Sequence, residues 1–363
     1  MQIEGKYMMR CLELAQSGRS LVAPNPMVGA VIVHQGQIIG EGYHRQYGDA
    51  HAEVIAIRSV KDETLLRDST LYVNLEPCAH EGKTPPCTEL IIQKQIPRVV
   101  IGCLDPFPEV SGRGVQQLCD AGVEVYTDVM REEADLLNCY FMTAHIIQRP
   151  YVILKWVQSR DGYIDRIRRD ASEKPVQLSN PSSYRYAHRL RSEVSAMMVG
   201  TNTAWLDNPS LTVRHWVGNS PVRILLDRTL RIPQSYHLFD GSSPTLVFTE
   251  QDTNRENRGN GGNVEYIPID FSEDVIPQLL DTLYARKIYS LLVEGGACLH
   301  ESFLESGLWD ELQIETTQVK LGIGVKSPIC NLSEIADFQN NINFPTEILQ
   351  NESQSVVSIY YCK

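Results

Sequence analysis

Apolar positions along the first half of the chain alternate between helical and strand-like spacing. Residues 4–19 place Met8, Met9 and Leu12 at helical spacing, and the apolar segments 30–33 and 38–39 flank a polar turn, which is typical of a β-hairpin. The alternation continues with helices predicted over 50–60, 87–95 and 114–121 and strands predicted over 70–75, 98–103 and 123–126. Strands and helices in turn predict a layered α/β sheet.

The pattern restarts at Pro150, after a helix predicted over 132–147. A buried strand is predicted over 151–157, and residues 251–263 form a polar loop rich in Gly and Asn. The remaining elements predicted in this half are a helix over 185–193 and strands over 196–200, 222–226, 245–248 and 291–294. Because 363 residues are many for one domain, we predict two α/β domains, residues 1–147 and 150–363.

Composition narrows the class of protein. With 42% hydrophobic and 21% charged residues the chain resembles an ordinary globular protein. No apolar run is long enough for a transmembrane helix, and the N-terminal residues lack the apolar core of a signal peptide. The nine cysteines are odd in number and scattered, which favours a reducing cytoplasm over a disulfide framework.

The formal net charge of -12 argues against a nucleic-acid partner, because binding to a polyanion needs a basic surface. Four arginines are candidates for a local basic pocket: Arg185, Arg189, Arg191 and Arg214. Such a pocket suits one small phosphate better than a polymer.

The strongest chemical signal is a histidine with a glutamate two residues later, followed by two cysteines. His51, Cys78 and Cys87 match the three protein ligands of a catalytic zinc, and Glu53 is placed to move protons. Zinc lowers the pKa of a bound water to about 7, so this set predicts hydrolytic deamination of a ring carbon. The alternatives are three unrelated residues or a structural zinc site, for which His80 is the candidate fourth ligand.

The loop between the two cysteines identifies the kind of deaminase. Nucleic-acid and free-cytidine deaminases usually have two residues there, whereas this chain has eight. With Pro-Asn-Pro-Met-Val-Gly at 24–29, Gly-Tyr-His at 42–44 and Gly-Lys-Thr-Pro-Pro-Cys at 82–87, the chain resembles the bifunctional deaminase/reductase of riboflavin biosynthesis. The resemblance implies a cytidine-deaminase-like α/β/α domain acting on 2,5-diamino-6-ribosylamino-4(3H)-pyrimidinone 5′-phosphate.

By the same resemblance, four residues are expected to contact this substrate: Asn25, His44, Lys83 and Thr84. The alternatives are a turn residue between two prolines for Asn25, an ordinary loop histidine for His44 and a solvated charge for Lys83. Phe107 stands where the family usually has Asn, so an amide contact to the substrate is in doubt at that position.

The second half has no Gly-x-Gly-x-x-Gly fingerprint, so a Rossmann dehydrogenase is not supported. Instead, an apolar strand over 291–294 ends in Gly295 and Gly296 before a helix. Backbone N–H groups at such a turn can approach a phosphate at the positive end of the helix. The alternative is a tight turn that uses glycine only for its backbone freedom.

The resemblance extends over this half, which is similar to the dihydrofolate-reductase-like, NADPH-dependent reductase domain of the same family. The matching motifs lie at 155–162, 200–214 and 293–296. The resemblance implies a set of cofactor-binding residues: Gln158, Gln177, Thr203, Asp207, Gly296, Ala297, Cys298, Leu299, His300, Glu301 and Ser302. It implies these substrate-binding residues: Arg191, Leu211, Arg214 and Glu294. For the arginines the alternative is a solvated surface charge.

Two features of this half leave alternatives open. Gln177 takes the place of a Trp that is frequent in the family, so a stacking surface for the cofactor is missing or altered. Lys155 and Asp207 are both candidates for the proton donor in the reduction, and Lys155 is alternatively a partner of Asp161.

The sequence therefore predicts a cytoplasmic bifunctional enzyme that uses Zn²⁺ and NADPH. The reductase would transfer a hydride to C1′ and open the ribosyl ring to a ribityl chain. We expect a small phosphorylated pyrimidine as partner, no nucleic acid, no membrane, and a homo-oligomer. The alternatives are an active deaminase joined to a non-catalytic reductase-like domain, or a nucleic-acid deaminase with the same zinc core.

Overall fold

The computed structural model describes the chain in five ranges: 3–79, 85–107, 111–251, 262–330 and 356–362. The chain divides into two compact units, Met1–Gln148 and Arg149–Lys363. In the described part of the chain, no helix is both long enough and apolar enough to span a membrane.

The first unit has one five-stranded sheet flanked by helices. Its helices are α1 (Gly5–Gln16), α2 (Ala52–Ser59), α3 (Cys87–Gln93), α4 (Arg113–Asp120), α5 (Arg131–Leu137) and α6 (Cys139–Ile147). Its strands are β1 (Gly29–His34), β2 (Gln37–Tyr43), β3 (Ser69–Leu75), β4 (Arg98–Cys103) and β5 (Glu124–Tyr126). The strand order is β2-β1-β3-β4-β5, with β1 antiparallel to both neighbours and β3, β4 and β5 mutually parallel.

Two apolar clusters cover the two faces of this sheet. Ile32 and Val73 pack with Ala56 of α2 and Leu118 of α4 on one face. On the other face, Met8 and other residues of α1 pack against β1, β3 and β4. Alternate residues of a strand point to opposite faces, so these strands are buried on both sides and form the middle layer of an α/β/α arrangement.

The helix predicted over 132–147 is two helices that meet at Asn138. The Asn138 side chain is buried, where it accepts a hydrogen bond from Met27 N–H and donates one to Met27 O. An asparagine whose side chain bonds the backbone of another segment does not favour a helix interior, which explains the break.

The second unit contains an eight-stranded sheet. Its helices are α7 (Pro181–Glu193), α8 (Thr201–Asp207), α9 (Val275–Ala285) and α10 (Ala297–Ser306). Its strands are β6 (Tyr151–Gln158), β7 (Tyr163–Asp165), β8 (Ala196–Gly200), β9 (Val222–Leu226), β10 (Thr245–Thr249), β11 (Val264–Pro268), β12 (Ser290–Gly295), β13 (Glu311–Thr316), β14 (Val325–Lys326) and β15 (Val356–Tyr361).

The large sheet has the order β11-β10-β9-β8-β12-β6-β13-β15, while β7 and β14 form a two-stranded ribbon. All neighbours in the large sheet are parallel except β15, which is antiparallel to β13. Apolar clusters on both faces bury these strands. The sheet therefore places the carboxyl ends of β8, β12 and β6 side by side, where the loops after parallel strands form a crevice.

The predicted strands at 151–157, 196–200, 222–226, 245–248 and 291–294 are confirmed within one or two residues. The helices α8 and α9 and the strands β7, β11, β13, β14 and β15 were not predicted. Most of the loop predicted at 251–263 lies outside the described residues.

Candidate active sites

The three predicted metal ligands converge at the ends of three elements of the first unit. His51 precedes the first residue of α2, Cys78 follows β3, and Cys87 is the first residue of α3. His51 Nδ1 lies 3.3 Å from Cys87 Sγ and 3.5 Å from Cys78 Sγ. The three donor atoms all lie within 4.8 Å of one another, close enough to share one ion.

The chemistry of this donor set fits zinc. The pKa of Cys78 is lowered to about 4, because the Cys87 thiol donates a hydrogen bond to it and His51 lies beside it. The Cys87 N–H, at the start of α3, points at the same sulfur at 3.3 Å. A stabilised thiolate beside an imidazole is the soft ligand set that zinc prefers, and three protein ligands leave one position for a reacting molecule.

Glu53 is buried on the first turn of α2, two residues after His51. Burial raises the pKa of its carboxyl group, and the negative charge at Cys78 raises it further. A carboxyl group with a raised pKa holds and releases a proton more readily near neutral pH, which suits general acid–base chemistry.

Asn25 and His44 are brought together beside the metal ligands. His44 Nδ1 lies 3.2 Å from Ala50 O, which can only accept, so that nitrogen carries the proton. His44 Nε2 then accepts from the Asn25 side-chain amide at 3.2 Å. The His44 ring also packs edge-on against His51, with 5.9 Å between centroids. This chain of contacts turns the Asn25 carbonyl oxygen away from His44.

Three polar residues that hold these loops were missed by the sequence interpretation. Asn74 accepts from Gly29 N–H and donates to Met27 O, and so fixes the loop that carries Asn25. Asn138 binds Met27 as well. Glu76, two residues before Cys78, accepts four backbone hydrogen bonds from N–H groups at 105, 112, 114 and 115. Their partners are 29 or more residues away in sequence.

Lys83, Thr84 and the alternative ligand His80 lie outside the described residues. The exposed Phe107 ring packs edge-on against His145 of α6, with 5.8 Å between centroids. Phe107 therefore makes an aromatic contact with α6 at the position where the family usually has an asparagine.

In the second unit, the turns after β8 and β12 lie against each other. A Cβ atom at Gly295 would lie 2.8 Å from Thr203 Cγ2, and one at Gly296 would lie 3.3 Å from Thr203 Oγ1. Gly296 also has φ +87°, which favours glycine. The backbone at the start of the ten-residue helix α10 is thus bare of side chains next to Thr203, which fits the phosphate of a pyridine nucleotide.

The residues predicted at 297–302 differ in exposure. Cys298 and Ser302 are exposed, and Ala297 and Glu301 are partly buried. Leu299 packs in the main core, and His300 is 1% exposed. Contact with a cofactor at Leu299 and His300 is therefore limited to their backbone atoms.

Lys155, Glu294 and Arg191 form a charged group on the sheet face that α7 covers. The Arg191 guanidinium binds both carboxylate oxygens of Glu294, at 3.1 and 2.6 Å. Burial alone would raise the pKa of Glu294, but Arg191 and Lys155 together hold it below its ordinary value. Asp161 accepts instead from Ser159 Oγ and from two backbone N–H groups at 321 and 322, so within the described residues the alternative Lys155–Asp161 pair is not formed.

Arg214 and Leu211 lie in the segment that follows α8. The backbone N–H of Arg214 donates to Nδ1 of the fully buried His188, and the Arg214 guanidinium lies 3.4 Å from Thr212 Oγ1. Leu211 is buried in the core with φ +48°, an uncommon conformation for a non-glycine residue. Only the backbone of Leu211 can therefore meet a ligand. Arg189, which was expected in the basic pocket, forms an ion pair with Glu193.

Asp207 ends α8 in an ion pair that the sequence did not reveal. Arg168 lies 2.5 Å from Asp207 Oδ1 and 2.7 Å from Asp165 Oδ2, and it also donates to Leu206 O. Burial raises the pKa of Asp207, while Arg168 opposes that effect. Asp207 therefore accepts a hydrogen bond from a cation 39 residues earlier in the chain.

The two predicted glutamines have different surroundings. Gln158, at the end of β6, accepts from Trp156 Nε1 at 3.0 Å and donates to Thr316 Oγ1 at 3.3 Å. Gln177 is exposed and donates to Ser179 O. Gln177 has no ring, so it offers a ligand a planar amide in place of an aromatic face.

Comparison with known proteins gives one match for each half of the chain. Residues 1–103 match the cytidine and deoxycytidylate deaminase zinc-binding region, and residues 150–341 match the RibD C-terminal domain. The riboflavin biosynthesis protein RibD of Aquifex aeolicus is 38% identical over 326 residues, which cover 89% of this chain and 89% of that protein. RibD of Escherichia coli is 34% identical over 340 residues, 90% of each chain.

Solved structures agree with these matches. A diaminohydroxyphosphoribosylaminopyrimidine deaminase/5-amino-6-(5-phosphoribosylamino)uracil reductase from Thermotoga maritima superposes with a TM-score of 0.84 at 34% identity, covering 99% of this chain and 98% of that one. RibD of Acinetobacter baumannii superposes with a TM-score of 0.84 at 31% identity and the same coverage.

Fold and sites together define a zinc-dependent deaminase joined to a pyridine-nucleotide reductase on one polypeptide. The chain belongs to the RibD family of bifunctional riboflavin biosynthesis enzymes, whose cofactors are Zn²⁺ and NADPH. The predicted family, fold class, pair of activities and pair of cofactors are confirmed.

Proposed function

We propose that residues 1–147 deaminate 2,5-diamino-6-ribosylamino-4(3H)-pyrimidinone 5′-phosphate and that residues 150–363 reduce the product's ribosyl chain to ribityl. The observation that supports this best is the meeting of His51 Nδ1, Cys78 Sγ and Cys87 Sγ within 4.8 Å, next to the buried carboxyl group of Glu53. The activity of the Thermotoga relative, whose chain is 98% covered, points to the same substrate.

In the deaminase unit, His51, Cys78 and Cys87 would hold the zinc. The metal, when bound, makes a water molecule acidic enough to attack the pyrimidine ring. Glu53 would take one proton from the attacking water and give it to a ring nitrogen. It would then move the remaining proton of the added hydroxyl group to the departing amine, so that ammonia leaves and a carbonyl remains. The side chain of Asn25 is oriented by His44, and its carbonyl oxygen would accept a hydrogen bond from an amino group of the substrate. Lys83 and Thr84 are proposed to contact the same substrate.

Replacing Glu53 by Gln tests this assignment. The change keeps the size of the side chain but removes its ability to carry protons, so we expect deamination to fall by at least about 10²-fold. Zinc measured by metal analysis should stay at one per chain, and NADPH-dependent reduction of the deaminated intermediate should be unchanged as the control. Retained deamination would remove Glu53 from the proton-transfer role.

In the reductase unit, NADPH would lie with its phosphate at the glycine turn, near Thr203, Asp207, Gln158 and Gln177. The cofactor supplies the hydride when bound. Arg191, Arg214 and Glu294, together with the backbone of Leu211, would bind the ribosyl phosphate substrate, with its phosphate group toward the guanidinium groups. Guanidinium groups suit this role because they bind phosphate in a bidentate fork.

For the proton donor we favour Lys155 over Asp207. Lys155, on the interior strand β6, is buried and close enough to Glu294 to lower the pKa of that carboxyl group, whereas Asp207 is paired with Arg168. A carboxylate held by a guanidinium is an acceptor, while an ammonium group carries a proton to give. Lys155 would protonate the sugar oxygen released when the hydride reaches C1′.

Lys155→Met and Asp207→Asn separate these roles. We expect Lys155→Met to lower kcat of the reduction by at least about 10²-fold, as for loss of a general acid. Asp207→Asn should mainly raise the KM for NADPH. Deamination by the same chains is the control. If Asp207→Asn lowers kcat and Lys155→Met does not, Asp207 is the proton donor. If the wild-type chain oxidises no NADPH in the presence of the deaminated intermediate, its reductase domain is non-catalytic.

We place the enzyme in the cytoplasm, which is supported by its nine scattered cysteines, an odd number that favours a reducing compartment over a disulfide framework. The homo-oligomer expected from the sequence stays a prediction.

A further inference from the structure

The glycine turn after β12 is supported from inside the protein by a histidine. His300 lies on the first turns of α10 and is 1% exposed. Its Nε2 atom is 3.1 Å from Val293 O, and its Nδ1 atom is 3.1 Å from Gly296 O. The ring therefore contacts the backbone on both sides of residues 294 and 295.

Both polar contacts of the His300 ring are with backbone carbonyl groups at or near the glycine turn after β12. A neutral imidazole has a single N–H and donates to one carbonyl at a time. In one tautomer His300 ties α10 to the end of β12, and in the other it ties its own helix to Gly296. The first N–H groups of α10 have no partner within the helix and remain for a ligand.

The same ring contacts a second predicted cofactor segment. Trp156 of β6 packs edge-on against His300, with 5.2 Å between centroids. The Trp156 indole donates to Gln158, which was predicted to bind the cofactor. His300 thus connects the glycine turn to the end of β6 without reaching the surface.

We propose that His300 is a positioning residue for the pyridine nucleotide. Its ring holds the Gly295–Gly296 turn and the first N–H groups of α10 in the orientation that receives the cofactor phosphate. This inference rests on the proposed placement of NADPH at that turn. Because the ring is buried, it acts through the backbone and does not touch the cofactor.

The test is direct NADPH binding to the full-length protein, measured by fluorescence titration. His300→Leu removes the single ring N–H that holds the backbone at Val293 or Gly296, so we expect the Kd to rise about tenfold. His300→Gln brings two N–H donors on one nitrogen and should restore the Kd to within about threefold of wild type. Steady-state reduction should show the change in the KM for NADPH, with kcat preserved.

Phe303→Leu is the matched control. Phe303 is fully buried on the same helix, one turn later, and packs in the core. Its truncation should lower the melting temperature and leave the Kd for NADPH unchanged, whereas a purely structural role of His300 predicts equal effects in both variants. If His300→Leu does not fold, His300→Asn is compared with His300→Gln. The shorter amide of His300→Asn cannot reach Val293 O, so this variant should bind NADPH more weakly than His300→Gln does.

Gly296→Ala separates the inference from the proposed function. This substitution adds a side chain at φ +87° in the proposed phosphate site and should weaken NADPH binding. If Gly296→Ala weakens binding and His300→Leu does not, the role of His300 is overturned while the site stands. If neither changes the Kd, the turn is not the cofactor site and both proposals are overturned.

Discussion

At the scale of single residues, the second unit places an uncharged histidine among charged groups. His188 is fully buried, with its Nδ1 accepting from Arg214 N–H. Its pKa is lowered to about 4, first by burial and then by Arg191, Arg214 and His215, against a smaller opposing effect of Glu294. The neutral ring can therefore hold the Arg214 backbone at neutral pH without adding a charge to the proposed phosphate site.

This pKa predicts a pH dependence of stability. The unfolded chain takes up a proton at His188 near pH 6.5, whereas the folded chain resists it down to about pH 4. The stabilising contribution of the neutral ring is thus fully present above about pH 6.5 and is lost as the pH falls toward 4. Calorimetry of wild type and His188→Asn should show a melting-temperature difference that narrows between pH 7.5 and 5. A difference that does not vary with pH would contradict this assignment.

At the scale of elements, the deaminase site depends on direct backbone contact between β2 and α2. A Cβ atom at Gly42 would lie 2.4 Å from Ala56 N and 2.6 Å from Ala52 O. Only glycine permits this approach, and the helix that it fixes begins directly after His51 and carries Glu53. The glycine in the Gly-Tyr-His motif is therefore required by packing as much as by any substrate contact.

Gly42→Ala should push α2 away from the sheet. We expect the free energy of unfolding of the first unit to fall by about 1–3 kcal/mol, as for other overpacked sites. Deamination and zinc content should fall, while NADPH-dependent reduction is kept. Gly5→Ala is the control, since a Cβ atom there has only Met130 Sδ nearby, at 3.8 Å. Equal stability of Gly42→Ala and Gly5→Ala in thermal melts would argue against the packing explanation.

At the scale of the whole molecule, each unit has its own sheet, its own core and its own site. The candidate zinc ligands lie at the ends of elements around a five-stranded sheet, and the candidate cofactor turn follows one strand of an eight-stranded sheet. Each activity can therefore serve as the internal reference for variants of the other, as in the Glu53 and Lys155 experiments.

Features that depend on nearby residues are predictable from the amino-acid sequence. Most strands, the zinc ligands beside Pro77 and Pro86, and the glycine turn are readable because their signals lie within about a dozen residues. Which distant side chains come into contact depends on how the whole chain folds. Arg168 pairs with Asp207, Asn138 interrupts a helix to bind Met27, and His300 turns inward to the backbone of Val293 and Gly296. Two of these contacts join residues 39 and 111 positions apart, and the third depends on which face of a helix is buried. Local patterns carry no signal for such contacts, because packing of the whole unit creates them.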